Sequence, residues 1–250
     1  IIKCGQFEAT DGTEVNLGFE PQWVLIKRID GTRDWFLIDN MRGMSATSDV
    51  NSQYLKPNTI DEETSNRNIF LTSTGFTVAD TTAFNYDTHI YMAIRRPHKP
   101  PTVATEVFNS ALSAATGQSI DVGFPTDLHF SASHTGAYGK VWTSRLTGQP
   151  LYSHSNQGEQ SVGPDYIFFD KQNSFLNNWW GSGTIINWYF KRAPGFLDVV
   201  TYTGTGSATT INHNLGVAPE LLIVKKRSSS GTWWTYSSVT GNNATVQLQD

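Results

Sequence analysis

Cysteine is almost absent from the sequence. Cys4 stands alone, so no internal disulfide can staple the chain, and stability has to come from burial or from neighbouring subunits. A lone thiol in an apolar stretch is expected to be buried. Charge is scarce as well, at 16% of residues with a net charge of −4. No basic field exists to collect phosphates, so nucleic-acid binding is not expected. Long apolar runs are missing. The longest are short, Trp23 to Ile26 and Leu221 to Val224, against the roughly 18 residues that read as a membrane span, so no membrane insertion is expected. The chain begins at Ile1 without a signal-peptide pattern, and is expected to be a processed or internal piece of something longer. Capped helical periodicity is also lacking. Thr105 to Ala115 is the only candidate, and its Ser and Thr content weighs against it.

Catalytic signatures are wanting too. The six histidines, His89, His98, His129, His134, His154 and His213, show no metal-ligand spacing, and one cysteine excludes a Cys-type zinc site. Asp61-Glu62-Glu63 sits in a polar loop, whereas glycosidase carboxylates flank a cleft. Gly204-Thr205-Gly206-Ser207 has no following lysine and no helix, so it reads as a hairpin turn rather than a phosphate loop. Asn243-Ala244-Thr245 matches a glycosylation triplet that often arises by chance. The expectation is no enzyme, no catalytic residues, no metal and no cofactor.

What the chain does have is a repeat. Gly18-Phe19-Glu20-Pro21-Gln22-Trp23-Val24-Leu25-Ile26-Lys27-Arg28 aligns with Gly216 to Lys226 at a constant offset of 198. A tryptophan follows each, Trp35 and Trp233. A weaker middle copy starts at Gly123-Phe124-Pro125, read with one residue deleted, and places Trp142 at the same position. Gly43, Gly148 and Gly241 close the corresponding segments. At the far end, Tyr91 to Pro97 resembles Trp188 to Pro194. The division is a first repeat over 1–98, a diverged second over 102–194, and the first half of a third over 198–250. The missing half is expected beyond residue 250 or from another chain. Pro97-His98-Lys99-Pro100-Pro101 and Ala193-Pro194-Gly195 mark the joints.

Short apolar runs with turn chemistry between them, such as Asp30-Gly31, predict strands over Trp23 to Arg28, Trp35 to Asp39, Ile69 to Thr72, Phe76 to Ala79 and His89 to Arg95. The second repeat adds Leu128 to Ser133, Lys140 to Ser144, Tyr166 to Phe169 and Ile185 to Lys191. Many short strands without helices predict an all-β fold, namely tandem small antiparallel β-sandwich domains built from repeats of about 95–105 residues.

Aromatics, at 12%, are the one suggestive surplus. Neighbouring side chains on a strand face opposite ways, so one member of each pair Trp179-Trp180 and Trp233-Trp234 is a candidate for exposure or for packing on a neighbouring unit. Trp179, Trp180, Trp234 and Tyr152 are the candidate binding residues, for a sugar or a protein surface. The repeated basic pairs Lys27-Arg28, Arg95-Arg96, Lys191-Arg192 and Lys225-Lys226 read either as solvated strand ends or as contacts between units. The polar stretches 45–68, 152–165 and 173–183 are peculiar to single repeats, and such surface loops are common binding sites.

Three stretches carry a family likeness: Gly18 to Arg28 with Asp30-Gly31 and Trp35, Tyr189 to Gly206, and Asn214 to Glu220. Together they resemble a repeated module of bacteriophage structural proteins, typical of tail-fibre and virion-appendage proteins of marine phages. The likeness covers most of the first and third repeats. The second departs from it, with Leu128-His129-Phe130 where the others continue into a basic pair. The resemblance implies an oligomeric β-structure in a virion, a trimer in fibre form, partnered by copies of itself and other virion proteins and contacting a host glycan or protein. A carbohydrate-binding module or a capsid-decorating protein is the alternative.

Overall fold

A computed structural model describes residues 1–42, 44, 52–79, 84, 86–114, 118–135, 139–147, 149–161, 167–169, 174–177, 183–241 and 246–248. The chain divides into two units, one of residues 1–98 with 200–213, the other of residues 99–199 with 214–250. Both are all-β, and the architecture is one of tandem small antiparallel β-sandwich modules.

In the first unit the strands are β1 (Ile2–Glu8), β2 (Thr13–Asn16), β3 (Pro21–Arg28), β4 (Phe36–Asp39), β5 (Ser52–Tyr54), β6 (Thr64–Arg67), β7 (Ile69–Thr72), β8 (Gly75–Val78) and β9 (Thr88–Arg95). One sheet runs β1-β9-β3-β4 and a second runs β2-β8-β7, with a small β5-β6 ribbon. Period-two alternation turns Val24, Ile26, Phe36 and Ile38 to one face, where all four are buried. Phe76 of the second sheet meets Phe7 and Tyr91 of the first edge-on, at 5.9 and 5.8 Å. That contact closes the sandwich. Cys4, expected to be buried, is exposed. It lies on edge strand β1 opposite Met92, and the core lies on the other side of that strand, where Phe7 points.

The second unit repeats this plan. Its strands are β10 (Phe108–Ala114), β11 (Gln118–Asp121), β12 (Leu128–Ser133), β13 (Val141–Ser144), β14 (Leu151–Tyr152), β15 (Ile167–Phe168), β16 (Ser174–Asn177) and β17 (Thr184–Phe190). The order β10-β17-β12-β13-β14 reproduces β1-β9-β3-β4 with an added edge, and β11-β16-β15 reproduces β2-β8-β7. The helical candidate at 105–115 is a single 3-10 turn, Ala104–Glu106, followed by β10.

Register shows how the repeats align. Trp23 pairs with Ile94 and Leu128 with Phe190, so Leu128 stands where Trp23 stands. From there Leu25 faces Leu37, and Phe130 faces Trp142. Trp142 therefore holds the position of Leu37, two residues beyond the one shared by Trp35 and Trp233. The deletion expected after Gly123 is also unnecessary. Gly18, Gly123 and Gly216 all take positive φ, at 76°, 82° and 74°, and each leads into its strand at the same spacing. In the first two, an Asx turn holds the bend, with Asn16 Oδ1 and Asp121 Oδ1 accepting from the glycine N–H.

The third repeat adds β18 (Leu221–Lys225), β19 (Trp233–Ser237) and β20 (Val246–Gln247), which form one antiparallel sheet. β18 and β19 are the counterparts of β3 and β4. One backbone bond marks all three repeats: Asn40 donates to the Gln22 carbonyl at 3.0 Å, Arg145 to Asp127 at 2.9 Å and Ser238 to Glu220 at 2.8 Å. Residues 200–213, which by sequence correspond to β1 and β2, form no strand and group with the first unit.

Candidate interaction surface

The hairpin β18–β19 is built by the same local chemistry as β3–β4. Lys27 Nζ donates to the Arg33 carbonyl across its own turn, and Lys225 Nζ donates to the equivalent Gly231 carbonyl at 2.7 Å. Lys225 also donates to the Asn156 carbonyl at 2.9 Å and lies 5.8 Å from the centre of the Trp233 ring.

At its turn end, one face of this hairpin is seated on the second repeat, while Leu221 and Ile223 on the same face of β18 are exposed. Trp233 is buried, and its indole N–H donates to the carbonyls of Tyr152 and Ser155 at 3.0 and 3.1 Å. Arg227 forms a two-pronged bond to Glu159, at 2.6 and 2.9 Å. The backbones of Glu159 and Arg227, and of Gly231 and Asn156, are bonded directly at 2.8 Å. Gly158 permits this approach, since a Cβ there would lie 2.5 Å from the Arg227 carbonyl oxygen. Trp233 also ends a row of aromatics across the second repeat. Trp188, Phe130 and Trp142 stack across three strands at 5.0 and 4.5 Å, and Trp142 lies 6.3 Å from Trp233.

The opposite face is bare. Leu222 and Val224 pair with Tyr236 and Trp234, as Val24 and Ile26 pair with Ile38 and Phe36. Val24 and Ile26 are 0% exposed and Phe36 is 4% exposed, whereas Leu222, Val224 and Trp234 are 41%, 42% and 47% exposed. These are core positions without a core. Covering them would contribute on the order of 4 kcal/mol from apolar burial. The far edge of β18 has no strand against it among the described residues, whereas β3 and β12 are flanked there by β9 and β17.

Inside the second repeat, polar groups replace part of the apolar core. His129 holds the position of Val24, and Asn187 that of Tyr91. Asn187 donates through Nδ2 to Ser113 Oγ at 2.9 Å, so its Oδ1 accepts from His129 Nε2–H at 2.9 Å. His129 Nδ1 is left to accept from Thr143 at 3.3 Å. Burial pushes the His129 pKa down to about 4, partly opposed by the Asn187 bond, so the ring is neutral near pH 7. Nearby, Asp127 accepts from the Arg192 backbone at 2.7 Å and lies 3.7 Å from both Arg145 and Arg192. Arg192 continues to Asp198 at 3.8 Å, and Asp198 accepts from the Asn214 N–H at 2.7 Å. This buried chain of charges runs from the closing strand of the second repeat into the start of the third.

The residues singled out from the sequence fall in different places. Trp234 lies on the bare face, and Tyr152 contributes a carbonyl to the seat of Trp233. Trp179 and Trp180 lie outside the described residues, as do Gly43, Gly148 and Asn243 to Thr245. Arg28 pairs with Asp30 and Asp87 of its own module, at 2.7 and 2.8 Å. Lys225 joins the third repeat to the second, Lys226 is exposed, and Arg192 is buried in the charge chain. Arg95, Arg96 and Lys191 are half-buried. Sequence reasoning named neither Arg227 nor Glu159, although Glu159 lies in the polar stretch 152–165 singled out as a binding loop and Arg227 extends the basic pair to three residues.

Among the described residues no group of His, Cys, Asp or Glu could hold a metal ion, and no helix is long and apolar enough to cross a membrane. The fold and this surface define a tandem β-sandwich protein whose third module has, among the described residues, no strand on the outer edge of β18. The chain belongs to the family described as Domain of unknown function (DUF7483), which matches residues 4–97 and 183–250. Those stretches take in the first repeat, and the closing strand of the second together with the third. No curated protein and no solved structure matches the chain.

Proposed function

We propose that the chain is a structural component of a bacteriophage virion, a segment of a tail fibre or similar appendage, whose work is assembly. The observation that carries this reading is the bare face of β18–β19, where Leu222, Val224 and Trp234 occupy positions that are closed core in the first repeat. Apolar surface of this kind marks contact with other protein. The likeness of Gly18 to Arg28 and Tyr189 to Gly206 to phage appendage modules supplies the setting. In this reading the chain does no chemistry. It works as a self-associating β-protein, a trimer in fibre form, joined to other virion proteins and presented to a host glycan or protein.

The test is localisation on purified particles with antibody raised against the chain, followed by cryo-EM. Labelling of a tail appendage is expected. Labelling confined to the shell would assign the chain to capsid decoration, and its absence from particles would overturn the reading. A carbohydrate-binding role has one specific point in its favour. Exposed Trp234 and half-buried Tyr236 stand two residues apart on one strand face, a geometry suited to stacking on sugar rings. A glycan-array signal lost in Trp234→Ala would favour it.

A further inference from the structure

The edge of β18 that no strand joins among the described residues is specific as well as sticky. Both complete repeats place the same kind of strand at this edge. In the first it is β9, Thr88-His89-Ile90-Tyr91-Met92-Ala93-Ile94-Arg95. In the second it is β17, Thr184-Ile185-Ile186-Asn187-Trp188-Tyr189-Phe190, followed by Lys191-Arg192. Each is the hub of its sheet, pairing the first strand on one side and the Gly-led strand on the other. Among the described residues the third repeat has the Gly-led strand and no hub. The behaviour of 200–213 fits this. In both complete repeats the first strand pairs only with the hub, so without one this stretch has no ladder to join.

We infer that the edge of β18 is an acceptor for one strand of the repeat's own closing type. That strand is an extended segment with alternating apolar residues and a basic pair at its end, entering antiparallel to β18 and completing the sheet by β-addition. The register follows from the two existing examples. Leu222 faces the Ala93/Tyr189 position of the incoming strand, Ile223 the Met92/Trp188 position, and Val224 the Tyr91/Asn187 position. The backbone edge provides attachment, and the bare face beside it provides selection. A one-residue slip would bring the other face of the incoming strand, Ile90, Met92 and Ile94 in β9 or Ile186, Trp188 and Phe190 in β17, beside Leu222 and Val224 in place of the Tyr91/Asn187 and Ala93/Tyr189 positions. The inference stands on this register and is independent of which particle the chain builds.

The experiment uses the full 250-residue chain with two labelled peptides, of sequence Thr88 to Arg96 and Thr184 to Arg192, read by fluorescence anisotropy. Both peptides are expected to bind with an affinity at least about tenfold tighter than scrambled versions. Leu222→Asp and Val224→Asp are expected to weaken binding by at least about tenfold, and both side chains are exposed, so the chain itself stays folded. Register is read by cross-linking. In a Cys4→Ser, Ile223→Cys chain, a peptide carrying cysteine at the Met92 position should form a disulfide, and one carrying it a residue away should not. Three results would each overturn the inference: no peptide binding at about 1 mM, equal binding of scrambled peptides, or self-association through β18 that shuts the peptides out. Particle localisation has no bearing on these outcomes, so the inference and the virion reading fail separately.

Discussion

Trp233 donates its indole N–H to the carbonyl of Tyr152 across 81 residues of sequence, and this bond fastens the third module to the second. Trp233→Ala should remove the buried ring and its bonds to two carbonyls, of which that of Tyr152 keeps the Ser155 N–H, a loss of about 3–5 kcal/mol at this site. Hydrogen exchange should then show the β18 and β19 amides losing protection while those of β12 and β17 keep theirs. Trp233→Phe, which keeps most of the apolar contact, should cost less.

Arg227 and Glu159 form the polar half of the same seat. Both are partly buried and their geometry is two-pronged. A double-mutant cycle with Arg227→Ala and Glu159→Ala should give a coupling of about 1 kcal/mol that shrinks as salt rises. A coupling of zero at low salt would show the pair to be incidental to the seat.

Acid should weaken the second unit through His129. Its folded pKa of about 4 lies below the ordinary 6.5, so the unfolded chain binds more protons between those values. Stability is therefore full above about pH 6.5 and falls as pH drops toward 4, by about 3 kcal/mol in all. Urea midpoints measured from pH 7 to 4 should follow this slope, and His129→Val should flatten it. That variant should also start lower at pH 7, because Asn187 Oδ1 loses its donor. His89, buried in the first unit, is shifted in the same direction by the same cause and should add an acid dependence of its own.

Asp127 holds two buried arginines. Asp127→Asn keeps the volume and removes the charge facing Arg145 and Arg192, so it should destabilise the second unit by about 3–5 kcal/mol. Calorimetry should show this as a lowered transition. If the melting temperature were unchanged, the arginines would owe their place to carbonyls such as those of Thr126 and Val199.

The edges of this structure were less legible than its centre. β3, β7, β9 and β12 announce themselves by apolar alternation, because one face of each meets the core. β1 and β10 do not, since Lys3, Gly5, Ser110 and Ser113 break the pattern on strands held mainly by backbone pairing. Arg227 and Glu159 look like ordinary surface charges until the fold brings them together from 68 positions apart.

By itself the sequence determined the repeat, its all-β character, the apolar core strands and the glycine that leads into the central strand of each repeat, because these are set by local periodicity and backbone sterics. Tertiary structure alone decided the rest. It placed Trp142 at the Leu37 position, turned Cys4 outward, and buried His129 and Asp127 where the first repeat has Val24 and Gln22. Above all it seated Trp233 while leaving Leu222, Val224 and Trp234 bare. Which face of a strand is covered depends on what packs against it, and that partner lies far away in sequence or in another polypeptide segment.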